Sequence, residues 1–491
     1  MKISVALTTL AGAAAVAGTA AADGGYYGGA LGARAAGRSG AFVARADDPT
    51  AIHYNPAGLA DISGTMVMVG NRVSYNGYSF TRAPTADWGM VPPDATSAPI
   101  ANFSKVSNQT PWQGLEPMAL VASNLGLRDF GFALGAFPAP GASKLDYPLS
   151  GGQRYMMLSR EAIILNVAGS AAWKYHDVFG VGATLEWITV PRLNYTLVVE
   201  GSPFQQTANP VSSPLDMVAS TQGSDWFTFN AIIGAWYRPL PFLQFGAAGQ
   251  VIPTQIETNS TLRVTPVDPA MAGEVMLTRD GYPANNVNVI LPLPLSVRVG
   301  ARYRGLAGTF ERFDVELDVE YETWSRVNDF TVDTHGLFGT FQGADVPLGQ
   351  IKIAKAWRDT VGVKLGGDVA VIPGRLALRG GAFYETAVAP ASHANIDFAG
   401  GAMFGGSIGG SVALGPRFEL VLAYQLRHQQ TVTVSEADAR VYQQVPASAC
   451  VAPYTSTSCH PQFIGQPSPV VNAGTYDATF HHLALALLLR F

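Results

Sequence analysis

The chain has 491 residues, a net charge of −5 and only 14% charged residues, where a soluble protein carries nearer a quarter. The mild acidity offers no basic stripe for nucleic acid. Beyond the first residues, no run reaches the roughly 18–20 apolar residues of a membrane helix. Low charge without apolar helices fits strands that show apolar side chains to lipid on alternate positions only.

The start reads as a secretory signal: Lys2, an uncharged stretch from Ile3 to Ala17, then Ala20-Ala21-Ala22 as a cleavage site that makes residues 1–22 removable. Residues 23–64 do not alternate. They are dense in Gly and Ala yet carry Phe42, Ile52, Tyr54 and Leu59, which favour burial. A plug inside a barrel is expected, against a loose tail. Asp47-Asp48-Pro49 reads as a turn or helix start, with a carboxylate cap and Pro in the first turn. Asn55 precedes Pro56 and is held to extended or turn geometry.

From residue 65 onward the pattern is one of strands. Period-two alternation is cleanest at 313–322: Phe313, Val315, Leu317, Val319 and Tyr321 share one face, and Asp314, Glu316, Asp318, Glu320 and Glu322 the other. Flanking segments place Arg298, Arg302 and Arg304, then Arg358 and Lys364 with Thr360, on a polar face. Trp357, Val361, Val363 and Leu365 fall opposite. An acidic strand between two basic ones predicts a charge-paired lumen wall. Fourteen strands are expected, near 65–80, 115–124, 129–137, 161–175, 178–199, 225–238, 242–260, 292–304, 311–324, 356–367, 375–385, 402–414, 417–431 and 476–491. Six short turns alternate with seven long connections, so both termini share the short-turn, periplasmic side. The last strand sets Leu483, Leu485, Leu487, Leu489 and Phe491 on one face. The fold class is an all-β, transmembrane antiparallel β-barrel, residues 65–491, plugged by residues 23–64.

The long connections carry apolar residues, including Trp88, Met90, Phe103, Trp112, Phe338, Phe341 and Met403. These serve either a binding surface or loop-on-loop packing. Cys450 and Cys459 are expected to form one disulfide in an oxidising compartment. No metal-ligand spacing accompanies them, and no cofactor motif occurs. None of the eight histidines sits in a hydrolase motif, so an enzyme is not expected.

The stretch A-D-D-P-T-A-I-H-Y-N-P-A-G-L-A at 46–60 resembles the N-terminal hatch motif of the FadL/TodX family of outer-membrane transporters for hydrophobic compounds. Further resemblance lies at Leu291–Gly300, Thr323-Trp324-Ser325, Ala356–Thr360 and Arg375–Tyr384. It spans the mature chain in order. The hatch residues that carry it are Asp47, Asp48, Pro49, Asn55, Pro56 and Ala57. The resemblance implies a fourteen-stranded barrel closed by the hatch. Substrate, such as a long-chain fatty acid or an aromatic or alkane hydrocarbon, is captured by outer loops. It then leaves sideways through a gap made by an inward kink in the third strand. Gly131, Gly135 and Pro138 are the kink candidates, since glycine permits bending and proline removes a ladder bond. Arg154 and Arg160, with Trp112 and Phe103, are candidates for substrate contact; solvation or pairing with Glu161 is the other reading of the two arginines. The implied partners are the substrate, outer-membrane lipid and lipopolysaccharide, and the barrel assembly machinery, which reads a terminal aromatic strand such as this one. A general porin or a surface interaction protein is the competing class.

Overall fold

The computed structural model describes residues 29–87, 97–139, 143–200, 209–270, 275–308, 310–341, 344–444 and 469–491. The expected signal segment 1–22, Trp88, Met90 and the expected Cys450–Cys459 bond lie outside these residues.

Fourteen antiparallel strands close into a barrel, matching the expected number. They are β1 (Thr65–Arg82), β2 (Trp112–Ser123), β3 (Phe130–Pro138), β4 (Ser159–Tyr175), β5 (Phe179–Glu200), β6 (Asp216–Leu240) and β7 (Leu243–Gln250, resuming at Gln255–Pro266). There follow β8 (Asn286–Pro292, resuming at Ser296–Ala307), β9 (Phe310–Glu322, resuming at Asp329–Asp333), β10 (Ile351–Ala354, resuming at Thr360–Ile372), β11 (Leu376–Glu385), β12 (Met403–Ala413), β13 (Phe418–Gln429) and β14 (Gly474–Arg490). Each pairs with its sequence neighbour. β14 closes on β1 in continuous register from Met66 opposite Arg490 to Arg82 opposite Gly474. Phe491 and Thr65 exchange backbone bonds of 2.9 and 3.1 Å at the seam. Closure leaves no sheet edge, as lipid requires.

Alternation decides what each face meets. On β14, Leu483 and Leu485 are exposed outward while Ala484, Ala486 and Leu488 are buried inward. On β9, Val315, Leu317 and Tyr321 point out, and all five acids are buried in the lumen. The outward apolar band ends where β7 to β10 are interrupted. Beyond the break, the outward positions of β7 are Gln255, Glu257, Asn259, Thr261 and Arg263. The interruptions therefore mark the rim of the apolar belt.

These breaks correct the sequence reading at one place. Ala356 adopts a left-handed φ of 47°, and the strand proper restarts only at Thr360. Trp357 consequently turns inward and is buried, whereas Arg358 is exposed. The two were expected on the opposite faces, because unbroken alternation was carried through a bend. β6 also starts nine residues earlier than expected, at Asp216 rather than 225. At the long-loop end, Tyr78, Phe80, Tyr147, Tyr155, Ile396 and Tyr476 belong to one buried cluster, so the connections pack on one another.

Leu485 lies midway along the outward face of β14. Leu485→Lys is expected to lower folding stability by about 2–4 kcal/mol, measured as denaturant unfolding in bilayers; an unchanged midpoint would place that face away from lipid.

Candidate functional site

Residues inside the barrel form a compact knot. A single helical turn (Ala33–Ala36), a second (Ala51–Tyr54) and a 3-10 turn (Pro56–Asp61) are joined by tight bends. So short a segment has little core of its own, and its conformation depends on the wall. The acidic face of β9 supplies the main grip. Asp318 Oδ2 accepts from the backbone N–H groups of Phe42 (2.7 Å) and Val43 (2.9 Å). Glu316 Oε1 accepts from Ala44 (2.6 Å) and Arg45 (3.1 Å). Arg38, fully buried, spans Asp314 (2.9 Å), Glu316 (2.8 Å) and Asp368 (2.7 Å). The wall's own pairs also form: Arg302 with Asp314 at 2.7 Å, Lys364 with Glu320 at 2.6 Å, and Arg298 with Glu320. The expected charge-paired wall is therefore present, but much of its negative charge is spent on holding the knot.

The other end is held by neutral hydrogen bonds and by the ion pairs of Asp61. Asn55 donates to the carbonyls of Val43 (2.9 Å) and Ala235 on β6 (3.0 Å), and its Oδ1 accepts from Ala57 (3.2 Å). Trp236 Nε1 donates to the Ala57 carbonyl at 3.0 Å, and Thr184 Oγ1 to that of Ile52 at 2.7 Å. Asp61 meets Lys174 (3.0 Å) and Arg238 (2.8 Å). Asp48 caps Thr50 N–H at 2.8 Å. Burial opposes the charge of Asp47, but Arg34 and Arg45 beside it hold its carboxyl below the usual range.

Glycines on the wall make room. A Cβ on Gly131, Gly182, Gly246 or Gly366 would stand 2.1–2.6 Å from backbone atoms of Leu59, Ala57, Val43 or Arg38. Gly131 thus seats the knot. A Cβ on Gly135 would instead strike Leu120 of β2 at 2.2 Å.

The wall thins between β2 and β3. Their pairing runs only from Ser123–Phe132 to Ala119–Ala136, while β1 stays paired with β2 as far as Trp112. Above that point stand Pro117 on β2 and Pro138 on β3, neither of which can donate to a ladder. Farther up, Gln113 spans to Ser143–Asp146 by bonding the Lys144 N–H (2.7 Å) and carbonyl (3.0 Å). The result is a framed interruption with Glu116 and Phe137 on its two sides. Glu116 pairs with Arg72; Phe137 is buried, its ring 5.9 Å from His53 of the knot. Behind lies a cavity of about 120 Å³ lined by Glu116, Phe137, Pro138, His53 and Arg298 among others.

A second chamber sits toward the long loops. Ile164, Leu193, Ile256, Leu291 and Phe330 line it, with Arg160 as the one charged residue among its described lining. Its volume is about 40 Å³, below the roughly 150 Å³ that takes a benzene ring, so an occupant must part these side chains. Trp324, Trp357, Phe330 and Phe398 pack edge to face beside it, with ring centroids 5.1–5.7 Å apart.

A family model described as outer membrane protein transport protein (OMPP1/FadL/TodX) matches residues 5–458. The chain belongs to this family. It is a FadL/TodX-family transporter of hydrophobic compounds, built as an outer-membrane barrel. Solved structures agree in fold. A Pseudomonas aeruginosa FadL homologue superposes with a TM-score of 0.69 at 14% identity, covering 95% of this chain and 100% of that one. The Pseudomonas putida toluene transporter TodX gives 0.63 at 13%, covering 94% and 99%. The Ralstonia pickettii toluene transporter TbuX gives 0.58 at 16%, covering 94% and 98%. No curated protein sequence matches the chain.

Within this FadL/TodX-family barrel the sequence-derived residues separate. Asp47, Asp48, Pro49, Asn55, Pro56 and Ala57 all lie in the hatch. Pro138 stands at the interruption. Arg160 reaches the apolar chamber, its guanidinium 3.9 Å over the Phe398 ring and 2.5 Å from Ser143 Oγ. Arg154 is occupied with Asp216 (2.8 Å) and lines neither chamber; Glu161 pairs with Arg192 instead, at 3.2 Å. Trp112 is 70% exposed against Tyr75. Phe103 lies under the Arg82 guanidinium, and Phe338 is exposed while Met403 is buried beside the hatch cavity. Arg38, Pro117, Phe137, Phe398 and the hatch-seating Gly182, Gly246 and Gly366 are not singled out by the sequence; Gly131 is, but as a kink candidate rather than a seat for the hatch. For Arg38 a signal existed: an arginine in an otherwise Gly/Ala-rich plug facing an acidic strand.

Arg38→Ala leaves Asp314 and Glu316 short of a buried partner, at a cost of about 3–5 kcal/mol. Gly366→Val pushes against the Arg38 carbonyl. Both variants are expected to form barrels whose hatch is unseated, with ion conductance in planar bilayers raised severalfold. Wild-type conductance in both would mean that the hatch is held by something else.

Proposed function

We propose that the protein takes up hydrophobic molecules carrying one acidic group, such as long-chain fatty acids, by passive diffusion. The long loops face outward and both termini lie in the periplasm. Substrate is captured among the loops and passes into the apolar chamber, moving the hatch aside to reach the β2–β3 interruption. It leaves sideways into lipid. The observation that carries this reading is the apolar chamber with Arg160 as the single charged residue among its described lining. A guanidinium at the edge of an apolar slot suits a carboxylate whose tail is greasy. Beside it Lys355, lowered from its usual range by burial, is engaged with Asp397; Arg160, held by Ser143 and over the Phe398 ring, is the cation that lines the chamber itself.

The aromatic cluster of Trp324, Phe330, Trp357 and Phe398 favours a second reading, uptake of aromatic or alkane hydrocarbons. Edge-to-face rings accept another ring without any ion pair. A general diffusion porin fits less well, because the hatch occupies the lower lumen.

The test is uptake of oleate, toluene and octane by cells lacking their own transporter and producing this protein. Oleate uptake above background is expected, falling about tenfold in Arg160→Ala while toluene stays unchanged. Uptake of toluene alone would favour the second reading; background uptake of all three would sink both.

A further inference from the structure

Between the apolar chamber and the hatch cavity lies a third space that the transport reading leaves unassigned. It shares Ile164, Ile256 and Leu293 with the apolar chamber, and His53 and Ala139 with the hatch cavity. It therefore opens on both, and because the two also meet directly at Arg160 and Phe398 it is a side branch that a molecule leaving the chamber can enter. Its wall is polar along one row. Asn166 on β4 pairs with Ile188 on β5, two residues beyond Glu186, and Glu186 stands in register with Asn230 on β6. Asn166 is also the register partner of Phe137, at the lip of the interruption.

All three side chains are at least 97% buried. Asn230 Nδ2 donates to Glu186 Oε2 at 2.9 Å. That bond leaves Glu186 Oε1, Asn230 Oδ1 and Asn166 Oδ1 buried without a hydrogen-bond partner. His53 Nδ1 stands 3.7 Å from Glu186 Oε1, too long for a hydrogen bond. Buried acceptors in this condition are costly and rare, and here three converge on one space. They ask for a donor. A divalent cation is poorly served by one carboxylate and two amides, since it takes six or more oxygens or keeps its waters. The space also opens on the apolar chamber through Ile164, Ile256 and Leu293. An ionised carboxylate would meet the charge of Glu186.

We propose that this junction is a binding site for an O–H donor on an otherwise apolar substrate: an alcohol, a phenol or an undissociated carboxylic acid. The hydroxyl donates to Glu186 Oε1, with the Asn166 and Asn230 carbonyls beside it and the apolar body lying against Ile164 and Ile256. The site rests on the transport reading and sharpens its substrate class. It favours hydroxylated or protonated molecules over plain hydrocarbons at a junction beside the chamber.

The experiment compares matched probes in the full-length protein: p-cresol with toluene, and 1-decanol and decanoic acid with decane. Uptake is measured in wild type, Glu186→Leu and Glu186→Gln. Wild type is expected to take each hydroxyl compound faster than its hydrocarbon match. Glu186→Leu is expected to cut uptake of the hydroxyl compounds about tenfold, the factor one hydrogen bond to a charged group carries, with toluene and decane unchanged. Glu186→Gln keeps the volume and an acceptor, and is expected to fall between the two. Loss for cresol and decanol alone assigns the site to alcohols and phenols; loss for decanoic acid as well extends it to the neutral acid. Equal loss for hydrocarbons and hydroxyl compounds, or no loss in Glu186→Leu, overturns the proposal. Failure of wild type to transport any probe would overturn the transport reading itself.

Discussion

Five carboxylates on one strand face the inside of a barrel, and the rest of the lumen is arranged around them. Asp314, Glu316, Asp318, Glu320 and Glu322 cannot stay unpaired away from water, since an uncompensated buried charge costs several kcal/mol. Neighbouring Arg298, Arg302 and Lys364 neutralise part of the row. Arg38, Arg45 and four backbone N–H groups of the hatch take up much of the rest. The hatch is thus a counter-charge as well as a plug. With the hatch seated, an apolar chamber lies above it and the β2–β3 interruption stands at its side.

The acidic face and the hatch divide the lumen by chemistry. Near the hatch, buried side chains are largely charged or small, as with Arg298, Glu320, Ala133 and Ala168. Toward the long loops they are Leu, Ile, Val and aromatic. A greasy molecule gains free energy in the upper part and none among the ion pairs below. The proposed route runs past Phe137 to the interruption, where Pro117 and Pro138 withhold ladder bonds, through a cavity that Arg298 and Glu320 also line.

The barrel was legible from sequence because a period of two survives in any strand with one apolar face. Strand number, the polar and lipid faces of β9 and β14, and the hatch motif were all readable. What was not readable depended on long-range approach. Gly182 and Gly366 look like weak points in a strand until the hatch backbone is seen against them. Glu316 and Asp318 read as half of a wall ladder, because their backbone partners lie more than 270 residues away. The turn at Ala356 reversed the facing of Trp357 and Arg358, and no local pattern announces one left-handed residue. Pro138 was noticed on its own strand; its counterpart Pro117 gains meaning only once the two strands are known to separate there.

The proposed side exit is the part of the account on which transport turns. Met118 and Phe137 hold the next register position beyond Ala119–Ala136, and both are buried on the lumen side. The most direct measurement is substrate uptake by a Met118→Cys/Phe137→Cys protein, oxidised and then reduced, with the cross-link verified by mass spectrometry. The account predicts that the bonded form transports at background level and recovers on reduction. Equal uptake in the bonded and reduced forms would contradict it.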